Sequence, residues 1–310
     1  MAFEYRITVF TPTYNRGYIL GNLYASLQRQ AFTDFEWLIV DDGSQDDTQA
    51  IVEGWMRQRN AFAIRYVKQE NGGKCRAINR GLDLARGELF FVMDSDDILS
   101  DDALIKVDRW FSQLPQDGRM MGVGANCGYA PDKTPNALFD EPYRDMTLLE
   151  KYSLPSGENA VGNGERALIF YTDFHRKYRY PEFEGENFMT EAVTWNRMAH
   201  DGFTMRFFND IIWIYEYQTD GLTRAGMEIF FRNPRGYGLY MKEKMAFLHW
   251  PFLKRLRECY SFACNLEGRY PASMIAECIG TNTPLICACH MLHHVYGRIK
   301  RMRRIGGKQG

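Results

Sequence analysis

From Ile7 to Leu114 the chain alternates short apolar runs with segments in which apolar residues recur every three or four positions, the signature of strands joined by helical crossovers in a parallel sheet. The runs Ile7–Thr11, Trp37–Val40, Ile64–Lys68 and Leu89–Met93 predict strands. Between them Leu20, Leu23, Tyr24 and Leu27, then Ile51, Val52, Trp55 and Met56, then Ala77, Ile78, Leu82 and Ala85 predict helices, each covering one sheet face with its apolar stripe. From about 120 to 225 the pattern changes. Extended runs such as Met120-Met121-Gly122-Val123 and Ile211-Ile212-Trp213-Ile214 surround a stretch rich in Gly, Pro and Asn near 153 to 165, which predicts mixed sheet and loop completing the same domain. After Gly226 the period is helical, broken at Pro234, Pro251, Pro271 and Pro284, so residues 226–310 are expected to form a helical appendage to a domain spanning 1–225.

Polar residues collect where the predicted strands end. Thr13-Tyr14-Asn15 follows the first, Asp41-Asp42-Gly43-Ser44 the second and Asp94-Ser95-Asp96-Asp97 the fourth, and in open α/β sheets ligands bind outside the carboxyl ends of the strands.

Composition narrows the class of partner. Lys plus Arg (38) nearly balances Asp plus Glu (39) in the 310 residues, so a net charge of −1 gives no global field toward nucleic acid, and none is expected as a partner. Seven cysteines without regular spacing, and no secretory signal, predict a reducing, cytoplasmic setting. No apolar run is long enough to span a bilayer, the best being Pro284–Leu292. Locally the picture differs: Arg298, Lys300, Arg301, Arg303, Arg304 and Lys308 stand together with no acid, a basic tail that, with the residues from Met291 onward, has the character of a peripheral membrane contact.

The acids carry the chemistry. Asp94 and Asp96, one residue apart on a turn, can ligate one hard cation whose remaining positions take phosphate oxygens and water, whereas Ser100, Asp101 and Asp102 read as the cap of the helix through Leu104, Val107, Trp110, Phe111 and Leu114. An EF-hand is excluded, because Ile98 and Leu99 occupy the positions of a ligand and of the obligatory Gly. Asn71-Gly72-Gly73-Lys74 offers backbone N–H groups and an ammonium for phosphate, yet it is no Walker loop, with Lys68 and Cys75 where Gly and Ser or Thr belong. Gly122-Val123-Gly124 lacks the third Gly of a dinucleotide fingerprint, Cys127 taking its place. Thr190 reads as a helix cap that places Glu191 in the first turn, where a carboxylate has the favourable end of the helix dipole, as suits a general base; Glu186 is the alternative. Cys287, Cys289, His290, His293 and His294 include pairs at helical spacing, but most such tracts are packing and surface residues rather than zinc ligands.

Taken together, Thr11-Pro12-Thr13-Tyr14-Asn15-Arg16, Val40-Asp41-Asp42-Gly43-Ser44, Asn71-Gly72-Gly73-Lys74 with Asn79, and Met93-Asp94-Ser95-Asp96-Asp97 resemble the motifs of family 2 glycosyltransferases, in the same order. The resemblance is closest over residues 5–115 and continues through Pro181 to Glu191 and Gly221-Leu222-Thr223. It implies a GT-A fold, a Rossmann-like, mainly parallel sheet flanked by helices, with nucleotide-binding and acceptor-binding parts over 1–115 and 116–225. It further implies that Pro12, Thr13 and Tyr14 line the nucleobase pocket with Arg16 and Ser95 nearby, that Asp42 accepts from the base, and that Lys74 faces the diphosphate. Asp94 and Asp96 would touch ribose and Mn²⁺ or Mg²⁺, and Glu191 would deprotonate the acceptor. The Gln-x-x-Arg-Trp signature of processive members is absent. The implied reaction is inverting transfer from a nucleotide-sugar donor, UDP-linked by resemblance, to a saccharide or lipid-linked saccharide in bacterial surface polysaccharide or glycolipid synthesis. The rival readings are a nucleotidyltransferase, which would show a Gly-rich loop after the first strand, and a non-catalytic nucleotide-sugar binding protein, which would not need both a metal pair and a base.

Overall fold

The computed structural model describes residues 3–152, 165–215 and 226–306, with no side chains beyond Tyr296. The Gly-rich stretch from 153 to 164, Gly221-Leu222-Thr223 and the side chains of the basic tail therefore lie outside the described residues. The chain divides into two compact units, the first formed by Met1–Tyr180 and Thr194–Arg224, the second by Pro181–Val193 and Ala225–Gly310.

In the first unit the expected alternation is present as β1 (Tyr5–Thr13), α1 (Leu20–Gln28), β2 (Phe35–Asp41), α2 (Thr48–Met56), β3 (Ala63–Lys68), α3 (Lys74–Leu84) and β4 (Gly87–Val92). The first two strands run beyond their apolar cores because backbone pairing, not side-chain polarity, sets their ends: Tyr5 pairs with Gly87 and Thr13 with Asp41. The chain continues with β5 (Ile98–Leu99), α4 (Ala103–Ser112), β6 (Met120–Gly128), β7 (Tyr143–Met146), β8 (Arg166–Tyr171), α5 (Thr172–His175), α6 (Ala192–His200, which begins in the second unit) and β9 (Thr204–Ile214).

The nine strands form one sheet in the order β3-β2-β1-β4-β8-β6-β9-β5, with β7 against β9. Strands β1 to β4 are mutually parallel, β8 is antiparallel to β4 and β6, and β9 is parallel to β6. The carboxyl ends of β1, β2, β4, β6 and β9 therefore share one edge of the sheet.

Both faces are covered, so the central strands are rich in apolar residues. On one face Ile7, Val9, Trp37, Ile39 and Phe91 meet Leu20, Leu23 and Leu27 of α1, Val52 of α2 and Leu104, Val107 and Phe111 of α4. Each such side chain, taken fully out of water, contributes about 1.5–3 kcal/mol. On the other face α3 lies flat on Phe10: a Cβ at Gly81 would fall 2.2 Å from that ring, so only glycine permits the approach. The start of α4 is closed from outside its own sequence, for Gln30 Oε1 accepts the Leu104 N–H at 3.1 Å while Asp102, the cap residue, makes no side-chain cap bond.

The opposite edge of the sheet carries a second polar group. Glu36 is fully buried and accepts from Thr8 Oγ1 at 2.7 Å, Arg65 Nη1 at 2.7 Å and the Arg86 N–H at 2.6 Å.

The second unit contains α7 (Met227–Arg232), α8 (Pro234–Phe247), α9 (Phe252–Leu266), α10 (Ala272–Ile279) and α11 (Thr283–Gly306) around Tyr237, Met241, Phe262, Leu266, Ile275 and Ile286. The four prolines expected to break the helical pattern each stand at a helix start, at or just before the first residue for α8, α9 and α10 and second in α11, where the missing N–H costs nothing.

Candidate active site

At the carboxyl edge, the loops after β1 and β2 are tied to each other before they hold anything else. Thr13 O accepts the Asp42 N–H at 2.8 Å, Asn15 N donates to Ser44 Oγ at 2.8 Å, and Asn15 Oδ1 accepts the Gln45 N–H at 2.7 Å. Asn15 sits at φ 53°, a left-handed conformation that Asn tolerates. Asp41 closes the β2 turn through Ser44 N at 2.7 Å and takes the Tyr66 hydroxyl on its other oxygen.

Asp42 organises the next loop. It is 4% exposed, its Oδ1 accepts from Gln69 Nε2 at 2.7 Å and Gly72 N at 3.0 Å, and its Oδ2 accepts from Gly73 N at 2.7 Å. Gly43 makes room for this wrapping: at φ 90°, its missing Cβ would stand 3.0 Å from the Asn71 nitrogen. A carboxylate offers about four lone-pair sites, so one remains on Oδ2 for a ligand. The consequence is a fixed Asn71–Gly73 turn that opens α3 with Lys74, whose Nζ lies 2.7 Å from Asp94 Oδ1. Asn79, on the same helix, instead bridges the chain to Tyr180, donating to its O at 2.9 Å and accepting its N–H at 3.0 Å.

The acid run after β4 splits by environment. Burial, and then the neighbouring Asp94 charge, hold the Asp96 carboxyl above the usual carboxylate range, with Arg16 offsetting part of this from 3.9 Å. Asp97 is nearly buried and takes the Trp213 Nε1–H at 2.8 Å, fastening the run to β9. Ser95 between the two acids is also buried. Two hard carboxylates that repel each other, flanked by cations, fit a divalent ion such as Mn²⁺ or Mg²⁺. Among the described residues no third acid, His or Cys joins them in a metal-holding group, so such an ion would complete its shell with ligand oxygens and water.

Beside the acids, Pro12 is buried and Tyr14 is half exposed. Thr13 Oγ1 is buried without a hydrogen-bond partner, which costs about 1–3 kcal/mol unless something satisfies it. Its neighbour two residues back is satisfied, Thr11 Oγ1 accepting Trp37 Nε1–H at 3.0 Å.

Thr13, Arg16, Asp42, Lys74, Asp94, Ser95 and Asp96 thus meet on adjacent loops. Glu186 and Glu191 belong to the second unit. There Glu186 accepts the N–H groups of Arg235 at 2.7 Å and Gly236 at 2.9 Å with its two oxygens, capping α8 from a distant segment. Glu191 immediately precedes α6, which starts at Ala192 rather than one residue earlier, and the Thr190 hydroxyl lies 3.4 Å from the Ala192 nitrogen. In the Cys and His tract, His290 Nε2 is 3.1 Å from Ala263 O and His294 Nε2 is 2.9 Å from Glu267 Oε1, contacts that pack α11 on α9.

Sequence reasoning gave Asp97 no role apart from the run, and it missed Trp213 and Gln69. Trp213 lies 116 residues from the acid it fastens, and nothing in a single sequence marks such a pair.

Residues 8–170 match the model of "Glycosyl transferase family 2". The "Glycosyltransferase GlyG" of Streptococcus pneumoniae serotype 4 is 36% identical over 230 residues, which are 72% of this chain and 74% of that one. In fold the chain is similar to S. aureus TarS 1–349 in complex with UDP-GlcNAc, with a TM-score of 0.57, 15% identity and coverage of 93% and 91%. It is also similar to the mannosyltransferase PcManGT from Pyrobaculum calidifontis in complex with GDP-Man and Mn²⁺, with a TM-score of 0.52, 17% identity and coverage of 94% and 76%. The solved structures speak for the GT-A architecture and the sequence matches for the family, so this chain belongs to glycosyl transferase family 2 and is a glycosyltransferase.

Proposed function

We propose that this enzyme moves a sugar from a nucleotide diphosphate donor, UDP-linked, to the hydroxyl of a saccharide or lipid-linked saccharide in bacterial surface polysaccharide or glycolipid synthesis. The observation that carries the reading is the Asp94 and Asp96 pair on the carboxyl edge, one of its members destabilised as an anion and both faced by cations from neighbouring loops.

In this reading Pro12, Thr13 and Tyr14 take the nucleobase, the buried Thr13 hydroxyl gaining the partner it lacks. Asp42 adds an acceptor from its remaining lone pair. Lys74 and Arg16 leave the carboxylates for diphosphate oxygens, and Asp94 and Ser95 meet the ribose. A Mn²⁺ or Mg²⁺ ion held by Asp94 and Asp96 would neutralise charge on the departing diphosphate. Glu191 takes the acceptor proton; the acceptor oxygen then bonds to the anomeric carbon as the bond to the diphosphate breaks, its electron pair leaving with phosphate oxygen, and configuration inverts. Glu186 is the weaker candidate for the base, because both its oxygens already cap α8. The division into a donor-binding part over 1–115, an acceptor-binding part over 116–225 and a helical end over 226–310 belongs to the same proposal, as does a cytoplasmic enzyme that meets the membrane through its C-terminal residues.

The test is release of nucleotide diphosphate from a panel of nucleotide sugars with Mn²⁺ or Mg²⁺, beside a folded Asp96→Ala variant. Metal-dependent release from one donor, falling about 100-fold or more in the variant, is expected. Metal-independent release, or equal rates in the variant, would refute the site.

A further inference from the structure

The apolar stripe of α9 runs Leu266, Ala263, Cys259, Leu256, Phe252 at steps of three and four, so one face of the helix should pack along its whole length. It does so only in part. Ala263 and Leu266 are fully buried, whereas Leu256 is 38% exposed, Phe252 74% and the adjacent Leu253 76%. The bare end is also the charged end. Lys254, Arg255 and Arg257 are interleaved with these side chains and exposed, and no acid occurs from Leu248 through Arg257. Lys254 Nζ rests 3.8 Å from the ring centroid of Trp250, and Arg257 reaches Glu258 at 3.1 Å while staying three-quarters exposed.

The last helix packs on the carboxyl half of α9. His290 Nε2 lies 3.1 Å from Ala263 O, His293 Nδ1 lies 3.3 Å from Tyr260 Oη and His294 Nε2 lies 2.9 Å from Glu267 Oε1, so α11 crosses α9 near Ala263.

We propose that the amino end of α9, Phe252, Leu253 and Leu256 ringed by Lys254, Arg255 and Arg257, is an insertion prong that docks this protein on an anionic lipid bilayer. This deepens the membrane contact included in the proposed function, giving it a surface outside the C-terminal tail. The physics is that of an interfacial helix: the apolar side chains enter the boundary of the hydrocarbon, and the long cationic side chains extend to phosphate headgroups. A second copy of the chain is the poorer occupant, because a self-complementary contact would bring these cations against their own images.

The test is flotation of the full chain with vesicles of phosphatidylcholine alone or mixed with phosphatidylglycerol, at low and high salt. Binding is expected to the mixed vesicles only and to weaken with salt. Phe252→Ser with Leu253→Ser is expected to lower the partition coefficient about tenfold or more. Lys254→Gln with Arg255→Gln should lower it about fivefold per charge and flatten the salt dependence. Absence of binding to anionic vesicles at low salt, or equal binding by both variants, would overturn the proposal. So would a dimer in sedimentation velocity that the apolar variant abolishes without any flotation, which would assign the surface to a second copy. Donor cleavage without vesicles should be unchanged in both variants, so a wild type that floats yet cleaves no donor refutes the proposed donor chemistry alone.

Discussion

The first unit keeps buried or half-buried acids at both edges of its sheet, and their circumstances are opposite. At the amino edge Glu36 is fully buried and accepts from a hydroxyl, a guanidinium and a backbone N–H, so its charge is answered from within the protein. At the carboxyl edge Asp94 and Asp96 repel each other, are reached by long cationic side chains, and keep part of their surface in solvent. A group satisfied internally is a structural element, and one left under-satisfied is available to a ligand. Burial alone does not separate the two, since Asp97 and Asp42 at the carboxyl edge are also buried; what separates them is whether the lone pairs are already spoken for.

The comparison is broken most severely at Glu36. Glu36→Ala leaves the Arg65 guanidinium and the Arg86 N–H without their acceptor, and a loss of about 3–5 kcal/mol in urea denaturation is expected, with specific activity of the folded fraction retained. A loss under about 1 kcal/mol would mean that the network is not what holds this edge.

His175 sharpens the contrast with a buried group that has no partner. It is fully buried against Phe90, Phe170 and Tyr180, neither ring nitrogen has a hydrogen-bond partner, and desolvation first, then Arg179, push its pKa down to about 3. A folded pKa below the unfolded value of about 6.5 means stability that is complete above the unfolded value and lost as pH falls toward the folded one. Acidification from pH 7 to pH 4 should therefore cost about 3 kcal/mol through this residue, and His175→Phe should flatten the stability profile in that window. An unchanged acid limb in the variant would show that the imidazole finds a partner when protonated.

The smallest effect is expected where function is proposed. The raised Asp96 pKa means that ionisation is disfavoured in the folded state, so at neutral pH Asp96→Asn should leave the melting temperature unchanged or raise it slightly, with the difference fading as pH drops below the carboxylate range. A marked destabilisation would place Asp96 with Glu36, as a structural acid.

Most of the first half of the sheet was legible in the chain. The strands from β1 to β4 and the helices between them follow from apolar runs and helical period, because a sheet covered on both faces admits few polar residues and so writes itself into the sequence. The motifs at the strand ends were legible for the same reason: they are the places where an otherwise apolar pattern stops. The antiparallel insertion of β8 between β4 and β6 was not legible, since an antiparallel neighbour inside a mixed sheet is chosen by connections that leave no period. The roles of individual acids were legible only in part. Asp94 and Asp96 could be singled out by spacing, and Glu191 was preferred to Glu186 by its place before a helix, but only the packing showed that both oxygens of Glu186 cap the start of α8.

By itself, then, the sequence determined the α/β class, the edge of the sheet where the polar strand-end motifs collect, the family, and the prolines that start the last helices, all of which depend on local pattern or short motifs. Tertiary structure alone decided which carboxylates are already occupied, that Asp97 is fastened by Trp213, that Asn79 serves Tyr180, and that the apolar stripe of α9 is covered at one end and bare at the other. Those facts depend on groups brought together across about 100 residues of chain, and hydrogen bonds and burial at that range are set by packing rather than by any local preference.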